Sequence, residues 1–357
     1  MAIYLPDPSR TRASNPSPST TRAISIGNRF RSLFRISRYQ RRESAPIVQQ
    51  SCVRLCVIAL QVKWLADIMM HLADTRTCRK VLYMSAIDAW NQRVKAHHAQ
   101  SEAVMASAGW SDDDFWQPYA RFFRHDPRRE GDAVLDLLLA MVREGSTALD
   151  VGGGAGRMAL PMALKCDHVA VVEPSGSMIT QLREVAYDAG ICNVSVTQST
   201  WENAELDVAD VVLCAHVVYG VTDLEPFVRK LDSHATELVI LLAFVESPMS
   251  RISRFWQPVH GEERIDMPAL PELVNALWEM GIYPDVKMMP PVMPDKFEDR
   301  EVALSQLRNR LFIKTGSAEE DRLREAMDEL LVDVEGGVLV KGVSPVRQGF
   351  LSWRPER

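Results

Sequence analysis

The chain has 357 residues, 46% apolar and 25% charged, ordinary for a soluble globular protein and enough for one large domain or two small ones. Its six cysteines, Cys52, Cys56, Cys78, Cys166, Cys192 and Cys214, make no C-x-x-C pair and keep no metal-ligand rhythm with the eight histidines, which excludes a structural zinc and points to a reducing compartment. Charge is divided unevenly: residues 1–83 carry 14 Lys or Arg against 4 acids, whereas residues 84–357 carry 27 against 43.

Taken in order, the chain opens on a basic leader, 1–83. From Ser9 to Arg42 it is rich in Ser, Thr, Pro and Arg without an apolar period, the composition of a disordered tail. Cys52 to Leu72 is more apolar, but Arg54, Lys63 and Asp67 interrupt it, so it falls short of a membrane span. Three readings of the leader stand side by side: an organelle transit peptide, a basic arm for nucleic acid, or upstream sequence attached by a wrongly chosen start codon. The third is preferred, because Met84-Ser-Ala-Ile-Asp-Ala-Trp90 begins a well-patterned helix and would be a natural first residue.

From there the pattern predicts a polar helix over 85–108, an aromatic helix over 112–123 and an apolar helix over 133–143. A parallel-sheet rhythm follows: strand 147–151, helix 156–164, strand 168–172, helix 176–189, strands 194–197 and 210–214, helix 223–232 and strand 236–243. Strands separated by helices imply βαβ crossovers and a parallel sheet covered on both faces. Beyond Phe244, His260 falls beside Phe255 and Trp256 in a loop after the fifth strand; 271–280 reads as a helix and 284–289 as a strand. Residues 296–331 read as one or two amphipathic helices, ahead of strands near 338–341 and 348–353. The stripe of Trp116, Tyr119 and Phe123 reads as packing rather than as a lid over a ligand.

The most informative segment is Ala-Leu-Asp150-Val-Gly152-Gly153-Gly154-Ala-Gly156-Arg157, followed 23 residues after Asp150 by Glu173-Pro174 at the end of the next apolar run. A strand opening into a glycine turn lets backbone approach a ligand where a Cβ would clash, and an acid closing the next strand can accept both hydroxyls of a ribose. That is a site for a nucleoside. A dinucleotide fingerprint counted from Gly152 would need a small residue at Arg157, so a nicotinamide or flavin reading fails there.

With acids and glycines at Asp150, Gly152, Gly154 and Gly156, the chain resembles the class I S-adenosylmethionine-dependent methyltransferases, well over about residues 115–245 and loosely elsewhere. The resemblance implies that Asp150, Gly152, Gly153 and Gly154 hold the methionine end of the cofactor S-adenosyl-L-methionine and that Glu173 binds its ribose. It places Pro174 and Met178 at the adenine, Thr200 and Trp201 as candidates to cap the adenine amino group, and Cys214 at the active-site end of the fourth strand. It also implies a Rossmann-like, doubly wound, mostly parallel seven-stranded sheet, with N-terminal helices over 84–145 and a helical insertion over 296–333. Residues 84–357 would then form one methyltransferase domain, its sheet closed by an antiparallel hairpin that pairs 284–289 with the terminal strand.

Such a reaction asks the protein mainly to exclude water and to hold a nucleophile in line. If a proton must leave, His216 is the best-placed titratable group and Tyr219 the second, while His260 is a weaker candidate to line the acceptor pocket. The fourth strand ends in Cys-Ala-His-Val, without the Asn/Asp-Pro-Pro-Tyr/Phe turn of relatives that methylate amino groups of nucleobases or glutamine. The acidic body from Met84 onward likewise disfavours a phosphate backbone as partner. The expectation is a cytoplasmic enzyme for a small-molecule acceptor, with no nucleic acid, metal or membrane span. The competing class is a non-catalytic module that keeps the fold to bind cofactor or a protein partner.

Overall fold

A computed structural model describes residues 84–110, 114–294 and 296–356; the basic leader lies outside the described residues. The first helix, α1 (Ala86–Ala108), is capped by the Ser85 hydroxyl and ends at Gly109 in the left-handed region. After a short 3-10 turn (Ala120–Phe123) and α2 (Ala133–Met141), strands and helices alternate. They run β1 (Thr147–Val151), α3 (Ala159–Ala163), β2 (His168–Val172), α4 (Gly176–Ala189), β3 (Val194–Thr197), β4 (Ala209–Ala215), α5 (Leu224–His234) and β5 (Ala235–Phe244). The remainder comprises α6 (Ser250–His260), α7 (Leu270–Glu279), β6 (Asp285–Met288), α8 (Arg300–Arg310), α9 (Ala318–Leu330), β7 (Leu331–Val334), β8 (Gly337–Val340) and β9 (Gln348–Trp353).

Seven strands form one sheet in the order β3-β2-β1-β4-β5-β9-β6, parallel except for β9, which runs antiparallel to both neighbours. This is the Rossmann-like sheet and terminal hairpin expected from the sequence. Its two faces are set by strand alternation. Leu149, Val151, Val212 and Cys214 pack toward α5 and α7, while Ala148, Val169, Val171 and Leu213 pack toward α2, α3 and α4. The helices present matching stripes, such as Leu224, Phe227, Val228 and Leu231 on α5.

Strand order reverses between β1 and β4, and a ligand crevice opens beyond the carboxyl ends of strands at such a point. Register fixes what meets there. Val151 lies opposite Val172 on one side and Cys214 on the other, and Val172 lies opposite Thr197. The residues immediately following these positions, Gly152, Glu173, Ala215 and Gln198, therefore line up along one edge.

Four sequence expectations are corrected. Residues 115–119 are turns leading into the 3-10 segment rather than an α-helix, because Pro118 lacks an amide donor and the Asp114 carboxylate turns the chain by accepting from the Trp116 amide (3.0 Å). The helix expected over 156–164 shortens to Ala159–Ala163, since Gly152, Gly154 and Gly156 hold positive φ through the preceding turn. Residues 250–260, expected as loop, form α6, with Ile252, Phe255, Trp256 and Val259 buried at helical spacing. Pro258 withholds an amide donor from the preceding turn, and the helix stops soon after it, at the left-handed Gly261. Finally, the end of the expected helical insertion, 331–333, is strand: β7 (Leu331–Val334) pairs with β8 in a separate two-stranded sheet.

Candidate active site

The glycine turn is built by steric necessity. Gly152 has φ +70°, and a Cβ there would meet Val217 Cγ2 at 2.4 Å; at Gly153 it would meet Val171 Cγ1 at 2.7 Å. Gly156, at φ +82°, packs against Leu160 and Leu182 and so is the residue that lets α3 and α4 close on the strand. Gly154 needs its positive φ alone, since no described atom lies within 4 Å of an added Cβ. Arg157 turns outward to Asp132 (3.3 Å), consistent with a glycine at 156 rather than a small residue at 157 making the close contact.

Two carboxylates close the crevice. Glu173, 1% exposed, accepts from the Gly154 amide on Oε2 and from the Ser175 amide on Oε1, both at 2.9 Å. Asp150, 2% exposed, has an Oδ1 with no hydrogen-bond partner among the described residues. Burial first, and then the neighbouring Glu173 charge, raise the Asp150 carboxyl to about 7. Burial also pushes Glu173 above its ordinary range. Neither acid forms a salt bridge with a side chain of the described residues, so the pair suits a ligand that itself brings positive charge and hydroxyl donors.

The remaining candidates divide. Pro174 is exposed beside Glu173, and Met178 is buried in the same cluster as Ala155 of the glycine turn. The Thr200 hydroxyl is buried without a partner among the described residues. Trp201 is drawn the other way: its indole donates to the Phe227 carbonyl (3.3 Å), Lys230 lies over its ring, and the residue belongs to the core beneath α5. Cys214 is likewise wholly buried in that core, where burial pushes its thiol up.

His216 and Tyr219 form a linked pair beyond β4. The Tyr219 hydroxyl accepts from the Phe244 amide (2.6 Å) and lies 3.3 Å from His216 Nδ1, while the imidazole stacks on Phe244. With the tyrosine proton directed at Nδ1, the ring carries its own proton on Nε2. Burial lowers His216 to about 3 and pushes the Tyr219 phenol up. His216 also holds φ +61°, a strained conformation for a non-glycine residue. His260 lies on α6, bonded to the Leu311 carbonyl (3.0 Å) and packed on Trp256.

Asp114 escaped the sequence reading. It accepts from the Ser175 hydroxyl (2.9 and 3.0 Å) and the Ser177 amide (2.9 Å), fastening the aromatic segment to the N-terminus of α4 next to Glu173. Ser175 was legible as an N-cap; nothing in the sequence marks Asp114 as its partner. Phe115, Trp116 and Tyr119 behind it are buried in the cluster that holds Ala155 and Met178, in agreement with packing.

Residues 148–236 match the family model described as a methyltransferase domain. Together with the sheet order, this makes the segment a class I methyltransferase domain. Among curated relatives, an uncharacterized protein of Haemophilus influenzae is 28% identical over 156 residues, covering 43% of this chain and 57% of that protein. The ribosomal RNA small subunit methyltransferase G of Klebsiella pneumoniae is 27% identical over 134 residues, covering 37% and 53%. The chain thus spans just over half the length of the curated relatives it matches. Among solved structures, the YcgJ protein of Bacillus subtilis aligns over 62% of this chain and 98% of its own, with TM-score 0.44 and 15% identity. No helix among the described residues is long and apolar enough to cross a membrane.

Proposed function

We propose that this chain is a cytoplasmic enzyme that transfers the methyl group of S-adenosyl-L-methionine to a small-molecule acceptor. The observation that carries the reading is the buried pair of Glu173 and Asp150 at the glycine turn. Two desolvated carboxylates without a cationic side chain among the described residues suit a ligand with a ribose at one end and a charged ammonium and sulfonium at the other. In this reading Glu173 holds the ribose hydroxyls, Asp150 and the backbone of Gly152 to Gly154 hold the methionine end, and Pro174, Met178 and Thr200 border the adenine. The sulfonium supplies an already activated methyl, so the protein has to orient the acceptor and exclude water. A neutral His216, held by Tyr219, fits an acceptor whose nucleophile arrives with its lone pair free. The Klebsiella relative is named for ribosomal RNA, but the acidic body of this chain argues against a phosphate backbone as partner.

Calorimetry with S-adenosylhomocysteine and, separately, NAD tests the donor. Binding of the first alone is expected, and Glu173→Ala should remove a charge-assisted contact of about 1.5–3 kcal/mol, weakening it roughly ten- to a hundredfold. Unchanged affinity in a folded Glu173→Ala protein would refute the ribose assignment, and binding of NAD instead would refute the cofactor.

A further inference from the structure

Exposed apolar side chains gather at one edge of the main sheet. Trp278, Tyr283, Val286, Met288, Val292 and Met293 follow one another from the last turn of α7 through β6 to the segment beyond it, each at least 42% exposed. At their centre β6 is the outer strand, and its far side pairs with no strand among the described residues. The opposite outer strand, β3, differs: its Val194 and Val196 are half-buried, and it exposes no large apolar side chain.

A free edge templates pairing with another chain, and proteins ordinarily guard it with short strands, prolines and lysines. β6 has such guards: it is four residues long, lies between Pro284 and Pro290, and exposes Lys287. Guarding does not account for Asp285, an exposed acid two residues from that lysine and on the same face of the strand. Hydrogen-bond direction settles which backbone groups look outward. The Met289 amide donates to the Gln348 carbonyl and the Val245 amide to the Arg347 carbonyl, both at 2.9 Å, so the even-numbered residues of β9 face β6. In the observed register these meet Asp285, Lys287 and Met289, which leaves the N–H and C=O of Val286 and Met288, and the C=O of Pro284, directed away from the sheet.

We propose that β6 pairs antiparallel with β6 of a second copy of this chain, across a two-fold axis at Val286. Charge selects that centre. An axis at Asp285 would set the acid against itself, one at Lys287 would oppose two lysines, and one at Met288 would leave both charges without a counterpart. With the axis at Val286, Asp285 lies opposite the partner's Lys287, and symmetry repeats the pair. Those are positions without mutual backbone bonds, where facing side chains come closest. The two Val286 residues then exchange both of their backbone hydrogen bonds, and each Met288 amide faces the partner's Pro284 carbonyl. Val286 and Met288, on the other face, lose their exposure. Because the same edge is used on both copies, the contact closes on itself and stops at two chains. This pairing is independent of the cofactor site and goes beyond the methyltransferase reading.

Sedimentation velocity of the full chain, over about a hundredfold range of concentration, should show monomer passing to dimer and nothing larger. Asp285→Lys and Lys287→Asp each place like charges opposite one another twice, and each should weaken the dimer by about tenfold or more. Mixed in equal amounts, the two variants restore both opposite-charge pairs, so the mixture should dimerise about as well as the wild type. Val286→Pro removes an amide that bonds nothing among the described residues and should abolish the dimer. Both charged positions are exposed, so the two charge variants should keep the wild-type melting temperature and remain informative if the proline variant fails to fold. A chain that stays monomeric throughout, dimers undiminished in both charge variants, or a mixture no better than its components would each overturn the pairing.

Discussion

Asp150 carries a penalty that pH can expose. Its carboxyl titrates near 7 in the fold against an ordinary 3.8, so between about pH 4 and 7 the native chain holds a proton that the unfolded chain has released. Stability from this residue is therefore present at low pH and lost as pH rises, by about 4 kcal/mol across the window. Buried neutral His97, His98 and His216 act in the opposite sense, losing stability as pH falls through their ordinary 6.5. The difference between wild type and Asp150→Asn isolates the acid: the variant should gain melting temperature relative to wild type as pH goes from 5 to 8. An ammonium placed against Asp150 reverses the penalty, so S-adenosylhomocysteine, through its amino group, should bind more tightly with rising pH, by up to tenfold per unit below 7, and Asp150→Asn should flatten that slope. At Gly152 two effects separate cleanly. Gly152→Ala should cost about 2–5 kcal/mol, from the Val217 clash of about 1–3 plus left-handed strain of about 1–2 kcal/mol. Adding Val217→Ala should recover the clash and leave the strain, as read by denaturant midpoint; no recovery would mean that the clash is relieved by loop movement.

The segment around Asp114 makes the equivalent argument for an element. Its carboxylate reaches the first turn of α4, where negative charge is favoured by about 0.3–1 kcal/mol, and it holds that turn beside Glu173. Asp114→Ala should lower stability by about 1–2 kcal/mol, speed amide exchange over the first turn of α4, and weaken S-adenosylhomocysteine several-fold. Exchange unchanged in that turn would show that the latch positions nothing. The same segment marks the limit of sequence reading. Strands 147–151, 168–172 and 194–197 and helix 176–189 have the bounds read from the sequence, because local apolar runs and turn residues decide them. Asp114 matters through partners 61 or more residues away, and no local pattern records them. The α6 stripe Ile252, Phe255, Trp256 and Val259 has helical spacing in the sequence, but Pro258 inside it is a residue that ordinarily interrupts a helix, so the local pattern points both ways.

Across the whole described molecule, the C-terminal helices are not an appendage to the cofactor side. Leu304 and Leu307 of α8, Leu323 and Met327 of α9 and Phe255 and Trp256 of α6 share one buried cluster with Tyr119, Met178 and Ala155 of the glycine turn. The Tyr119 hydroxyl also donates to the Gln306 carbonyl (2.9 Å). Loosening this cap must therefore loosen the floor beneath the proposed adenine site. Leu307 is fully buried, so Leu307→Ala should cost about 2–5 kcal/mol and also weaken S-adenosylhomocysteine. Leu231→Ala, an equally buried change in the core under α5, should cost as much stability with affinity kept in the folded protein. Coupling is reciprocal, so S-adenosylhomocysteine should in turn slow amide exchange in α8 and α9. Equal affinities in the two leucine variants, with exchange in α8 and α9 indifferent to ligand, would show instead that the cap folds over the crevice without sensing what fills it.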